Sequence, residues 1–195
     1  MKRKLAHLTW GAVAAGLGLF GIFGSTLEAK ETTVTEEESA KHFVEMAKVL
    51  SSPRCRNCHP TGDTPLHGDT GVPHSTNVVR TSADVGLQCT TCHRSENQPD
   101  EHSPPGVPGW RMPDAKTPMT FQGLSVSELC TRLKDTKQNG GRSPDDLREH
   151  MEHDALILWA WKPGPGRSVP PLTHEAFMDH VRGWVKGGAA CPKGD

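Results

Sequence analysis

CRNCH at residues 55–59 and CTTCH at residues 89–93 are the two stretches that decide how this chain folds. C-x-x-C-H is the pattern of covalent haem attachment in c-type cytochromes. Its two thiols add to the two vinyl groups of a porphyrin, and the following histidine ligates the iron from the proximal side. The sequence therefore predicts two haem c groups, with covalent attachment through Cys55, Cys58, Cys89 and Cys92 and proximal iron ligation by His59 and His93.

Two other interpretations fit the cysteines alone. C-x2-C repeated along a chain also suits a tetrahedral zinc site with four thiolate ligands. A pair of disulfides is the third possibility. Both leave the histidine after each cysteine pair unexplained, so we favour haem attachment.

The composition agrees with a chain that needs cofactors to complete its core. Its 195 residues suit one domain, but apolar residues make up only 34% and aromatic residues 5%. Glycine and proline together supply 36 residues (20 and 16), which favours long irregular connections. The net charge of −1 argues against bulk attraction to nucleic acid, so no nucleic-acid partner is expected.

The N-terminal segment resembles a secretory signal. Lys2, Arg3 and Lys4 precede an apolar stretch at residues 8–24, and Ala29 is the expected last residue before cleavage. The alternative is an uncleaved membrane anchor over residues 5–27. We expect a signal peptide at 1–29 and a dihaem cytochrome c domain at 30–195. In either case the domain would lie in a bacterial periplasm, with membrane contact only if the segment is uncleaved.

Helical patterns flank an irregular middle region. Helices are expected over residues 35–50, from the capping pattern at Ser125, from Ser143 through Leu158, and over residues 173–186. Residues 53–118 show no long periodic segment. The expected fold class is mainly α, with cytochrome c-like helices around two covalent haems, long irregular loops and little or no sheet.

The irons of an electron carrier usually need distal ligands, most often His or Met. His74 lies midway between the two motifs, where no helix explains it. Met119 and Met112 lie in a proline-rich loop after the second motif, and His150 lies near the apolar face of a helix. We expect distal ligation from these residues, in falling order of preference His74, Met119, Met112 and His150, with both irons six-coordinate.

Three further residues have candidate roles. Cys130 and Cys191 remain after the haem cysteines are assigned, and in an oxidising compartment such a pair predicts one disulfide. Two free thiols are the alternative. Arg167 is a candidate partner for a haem propionate, with a solvated loop arginine as the alternative.

Segments over residues 53–192 resemble a family of small exported dihaem cytochromes labelled as a cytochrome subunit of isoquinoline 1-oxidoreductase-like enzymes. The resemblance rests on PRCRNCHPTGDTPLHGD, Pro73-His74, CTTCHRSEN, GLSVSELCTRLKDTKQNGGR, HDALILWAWKPGPGR and GAACP. It implies an electron carrier, not itself an enzyme, that exchanges electrons with a periplasmic molybdenum hydroxylase or dehydrogenase or another redox protein.

Two other function classes stay open. One is a haem enzyme, peroxidase-like or acting on an oxyanion, with one open iron site and acid–base groups beside it. The other is a gas-binding sensor with a five-coordinate haem. Carbon monoxide, which binds an open iron position, discriminates both from an electron carrier.

Overall fold

The computed structural model describes residues 33–194, so the predicted signal segment lies outside the described residues. Its helices are α1 (Glu36–Leu50), α2 (Pro53–Arg56), α3 (Val126–Lys134), α4 (Pro144–His153), α5 (Ala155–Leu158) and α6 (His174–Lys186). Strands β1 (Leu66–His67) and β2 (Val72–Pro73) form a small antiparallel hairpin. Short 3-10 turns cover Arg80–Val85, Cys89–Thr91 and Trp159–Trp161. The described chain is mainly α, as predicted, and none of its helices has the length and apolar character needed to cross a membrane.

The predicted helix starts are confirmed by their capping geometry. At α1 the Thr35 hydroxyl accepts a hydrogen bond from the Glu38 N–H at 3.2 Å, and the Glu38 carboxylate accepts from the Thr35 N–H at 2.8 Å. Ser125 and Ser143 begin α3 and α4 with the same reciprocal pair. Each box satisfies N–H groups that the first helical turn would otherwise leave without a partner.

The prediction of one continuous helix from Ser143 to Leu158 is wrong. The helix ends at His153, and Asp154 takes an extended conformation with ψ of 123°. Its carboxylate accepts a hydrogen bond from the Leu156 N–H at 2.8 Å and so caps the start of α5. Ala155 and Leu158 consequently lie exposed instead of continuing the apolar stripe.

The core lies where α1 packs against α6 and α3, and where α4 packs against α6. Ser39 links two of these helices, because its hydroxyl donates to the Trp184 carbonyl at 2.7 Å and accepts from the Ala190 N–H at 3.0 Å. The largest core side chains are Phe43, Met46, Leu129, Leu133, Phe177, Met178 and Trp184.

A disulfide joins the core to the C-terminal segment. It connects Cys130 of α3 to Cys191, with their Cα atoms 5.6 Å apart, so the structure contains the predicted pair. The middle region between α2 and α3 carries only the hairpin and two 3-10 turns, as its composition predicts. Long-range backbone bonds organise it, among them the Arg80 N–H to the Asp63 carbonyl at 2.8 Å.

Candidate functional site

The first motif occupies α2 and the turn after it, directly beyond the end of α1. The Cys58 and His59 N–H groups both donate to the Cys55 carbonyl at 3.2 Å. This helical turn places the three side chains on the wall of one cavity. Both cysteines are free thiols. Burial raises the pKa of Cys55 to about 12 and that of Cys58 to about 11, so both are protonated at neutral pH.

The His59 imidazole is fixed on two sides. Its Nδ1 lies 2.6 Å from the Met119 carbonyl oxygen, and its ring stacks on Phe121 with centroids 4.0 Å apart and planes 9° apart. Burial lowers the pKa of His59 to about 4, against the opposing effect of the hydrogen bond to Met119. The ring is therefore neutral at pH 7. A carbonyl can only accept, so Nδ1 carries the proton and Nε2 has its lone pair free for a metal.

The second motif repeats this arrangement with different residues. The His93 Nδ1 lies 2.7 Å from the Pro105 carbonyl oxygen, and the ring stacks on Trp110 with centroids 4.2 Å apart and planes 3° apart. Burial is the main cause that lowers the pKa of His93. Its Nε2 is free in the same way, since Nδ1 donates to the carbonyl. Of the second pair of thiols, Cys92 lies exposed.

Gly106 sets the position of the Pro105 carbonyl. Its backbone packs directly against the carbonyls of Arg94 and Glu96, and a Cβ at this position would collide with both oxygens. Its N–H donates to the Asn97 side-chain oxygen at 3.0 Å. The loop whose carbonyl accepts the hydrogen bond from His93 thus packs against the segment that follows the second motif.

Sequence reasoning missed the two carbonyls and the two stacking rings. Met119 and Phe121 lie about 60 residues beyond His59, whereas Pro105 and Trp110 lie within 17 residues of His93. A common signal was present, because each carbonyl belongs to a proline-rich loop with an aromatic residue shortly after it. A metal-bound histidine usually donates its second N–H to such a group, which orients the ring.

His74, the first choice for a distal ligand, lies beside His93. Their ring centroids are 6.2 Å apart and their planes differ by 60°. Two imidazoles on opposite sides of one metal have centroids roughly 6 Å apart, since each metal–nitrogen bond is about 2.0 Å. The His74 Nδ1 lies 2.9 Å from the Thr76 hydroxyl, which leaves Nε2 available. His67 adds a third ring, 6.0 Å from His74.

A cavity of about 480 Å³ lies beside the first motif. This volume falls within the range of about 300–1,000 Å³ that cofactor pockets occupy. The other three candidate distal ligands, Met112, Met119 and His150, all line it.

These three candidate ligands differ in their burial and in the contacts that they make at the cavity wall. Met119 is buried and has a positive φ of 46°, and its carbonyl is already bonded to His59. His150 projects from α4, with Nδ1 3.5 Å from the Asp154 carboxylate, and burial lowers its pKa. Met112 belongs to the loop before Pro113 and has no link to His59 among the described contacts.

The Arg167 guanidinium donates hydrogen bonds to main-chain carbonyls. It donates to the Ser103 carbonyl at 2.6 Å and to the Pro165 carbonyl at 3.0 Å. These bonds join the loop after α5 to the loop after the second motif. Arg167, a candidate partner for a propionate with a solvated loop arginine as the alternative, thus connects two loops in this structure.

Comparisons of the chain with protein-family models, curated proteins and solved structures give no match. A four-cysteine zinc site would require all four thiols around one point. Among residues 33–194, no three side chains of His, Cys, Asp or Glu are grouped so that they could hold a metal ion. Each cysteine pair is instead followed by an imidazole held by a backbone carbonyl, and a cavity adjoins the first pair, which fits a haem at each motif.

Proposed function

We propose that this protein is a dihaem c-type cytochrome that carries electrons outside the cytoplasm. One observation carries the proposal: both C-x-x-C-H histidines are neutral rings whose Nδ1 donates to a backbone carbonyl, with Nε2 free. When bound, each haem iron would supply a one-electron Fe(III)/Fe(II) couple. The chain's own contribution is to orient the ligands and to enclose the first site.

The residues fit two haems of different surroundings. The first would bond to Cys55 and Cys58 beside the cavity, and the second to Cys89 and Cys92, of which Cys92 is exposed. His74 is our distal ligand for the second iron, because its ring lies at the required separation from His93.

For the first iron the candidate distal ligands are Met119, Met112 and His150, which all line the cavity beside the first motif. A Met ligand would raise the reduction potential relative to His. Electrons would then run downhill from the second haem to the first.

The redox partner and the cellular compartment are proposed from the sequence resemblance and from the disulfide. The family resemblance suggests exchange with a periplasmic molybdenum hydroxylase or dehydrogenase. The Cys130–Cys191 disulfide supports an oxidising compartment, where such bonds persist.

Expression with a cytochrome c maturation system tests the proposal directly. The intact mass of the exported protein should exceed that of the polypeptide by two haem groups. C55A/C58A and C89A/C92A should each remove one haem, while the control C130A/C191A should keep both. A protein without bound haem, or haem that extracts into acid–acetone, would overturn the proposal. Spectra should not change with carbon monoxide, and a response from one haem would favour a haem enzyme with an open iron site.

A further inference from the structure

Two histidines meet between α1 and α6, the two longest helices of the described chain. His42 lies on α1 and His180 on α6, and their Nδ1 atoms are 3.0 Å apart. The ring centroids are 5.3 Å apart and the planes differ by 56°, so the rings meet through these nitrogens and not through their faces. Both side chains are half-buried, and neither lines the cavity beside the first motif.

Gly183 of α6 fixes the position of the His42 ring. A Cβ at this position would collide with the Nε2, Cδ2 and Cε1 atoms of the imidazole, so the Nε2 edge of the ring packs on the helix backbone. Glycine is a poor helix former, yet α6 has one where the ring lies against it. With the Nε2 edge against α6, Nδ1 is the nitrogen of His42 that is directed at His180.

The separation of the two nitrogens suits one metal ion as well as a hydrogen bond. Metal–nitrogen bonds of about 2.0–2.1 Å place two nitrogens about 2.8–3.4 Å apart, for bond angles between a right angle and the tetrahedral angle. Imidazole is a preferred ligand of Zn(II), Cu(II) and Ni(II). Each ring would bind through the Nδ1 lone pair, with its proton on Nε2.

The carboxylates one turn away on α1 are engaged elsewhere. The Glu38 carboxylate accepts from the Thr35 N–H at 2.8 Å. Both oxygens of Glu45 accept from the Lys48 ammonium, at 2.6 and 2.7 Å. The ion would therefore have two protein ligands and water at its remaining positions, which agrees with the lack of any three-residue metal group within residues 33–194.

We propose that His42, held against Gly183, and His180 form a preformed two-histidine site for one divalent transition-metal ion. The inference is independent of the proposed function, since neither histidine belongs to a C-x-x-C-H motif. A bound ion would cross-link α1 and α6, which pack against each other in the core. An ion that binds the folded chain and not the unfolded chain stabilises the fold.

The test is a titration of the purified full-length protein with ZnCl2 at neutral pH, followed by isothermal titration calorimetry and by Tm. His42→Gln and His180→Gln should each weaken one Zn(II) site by at least about tenfold, because loss of an outer partner of a metal ligand alone costs about 10–100-fold. Zn(II) should raise the Tm of the wild type, and both variants should lose this rise. His153→Gln, on the exposed face of α4, is the matched control and should keep the site and the rise in Tm.

Gly183→Ala keeps both histidines but displaces the His42 ring, so it should weaken the same site. This variant separates a preformed site from metal capture by any pair of surface histidines. Zn(II) affinity equal to the wild type in His42→Gln and His180→Gln would mean an adventitious ion only and would overturn the proposal. Full affinity in Gly183→Ala would overturn the preformed site. Haem content is read separately from the intact mass, so these results leave the cytochrome proposal unaffected.

Discussion

Removal of the Cys130–Cys191 disulfide should strongly destabilise the protein without loss of haem. The bond closes a loop over 61 positions that contains α4, α5 and α6. The cysteines of the two C-x-x-C-H motifs lie outside this loop, so covalent attachment of haem would not shorten it. The disulfide and covalent haem attachment would therefore restrict different parts of the unfolded chain.

The loop length sets the expected magnitude. In the chain-entropy model, a cross-link over this separation stabilises the folded state by about 4 kcal/mol. For a chain of this size, each 1 kcal/mol corresponds to a change in Tm of about 2–4 °C. Loss of the bond should therefore lower Tm by about 8–16 °C.

Cys191→Ala is the best variant, because Cys191 is only partly buried whereas Cys130 is fully buried. C130A/C191A also removes a buried sulfur, so the difference between the two variants measures packing alone. Thermal unfolding followed by circular dichroism gives Tm, and denaturant titration gives the free energy of unfolding. If thiol counting finds the bond in the wild type but Cys191→Ala loses less than about 1 kcal/mol, the loop-closure reasoning is refuted.

Three further predictions concern the site. In the dihaem protein that we propose, His74→Ala should convert one of two low-spin haems to a high-spin or water-ligated form, and an unchanged spectrum would show that His74 is not a ligand. In protein made without haem, Cys55 should react with iodoacetamide far more slowly than exposed Cys92 at pH 7, because burial raises the Cys55 pKa to about 12. Mass spectrometry of the labelled peptides gives both rates, and equal rates would contradict this prediction. Gly106→Ala should cost about 3 kcal/mol, since the new Cβ meets two backbone oxygens, and stability near that of the wild type would contradict the packing at the Pro105 loop.

Local patterns made the helix starts predictable. A capping box is formed by residues three positions apart, so Thr35 and Ser125 could be recognised without knowledge of the rest of the fold. The break at Asp154 could not, because the apolar spacing continues across it. The Asp154 backbone leaves the helix there, and its carboxylate accepts a hydrogen bond from the Leu156 N–H instead.

The residues of the candidate site likewise fall into those that a local sequence pattern indicates and those that only the fold brings together. The C-x-x-C-H pattern around His59 is contiguous, so the sequence alone could point to it as a candidate site. The Met119 carbonyl that accepts the hydrogen bond from His59 lies 60 positions away. Every residue has a backbone carbonyl, so this acceptor cannot be recognised from the residue type.

Under the proposed function, the position of the first motif bears on biosynthesis. Cys55 and Cys58 line a cavity of the folded chain and are only partly exposed, whereas Cys92 is exposed. A maturation enzyme that joins vinyl groups to thiols would therefore reach Cys55 and Cys58 more easily before the helices have packed. A chain that folded first would take up the haem of the first motif more slowly than that of the second.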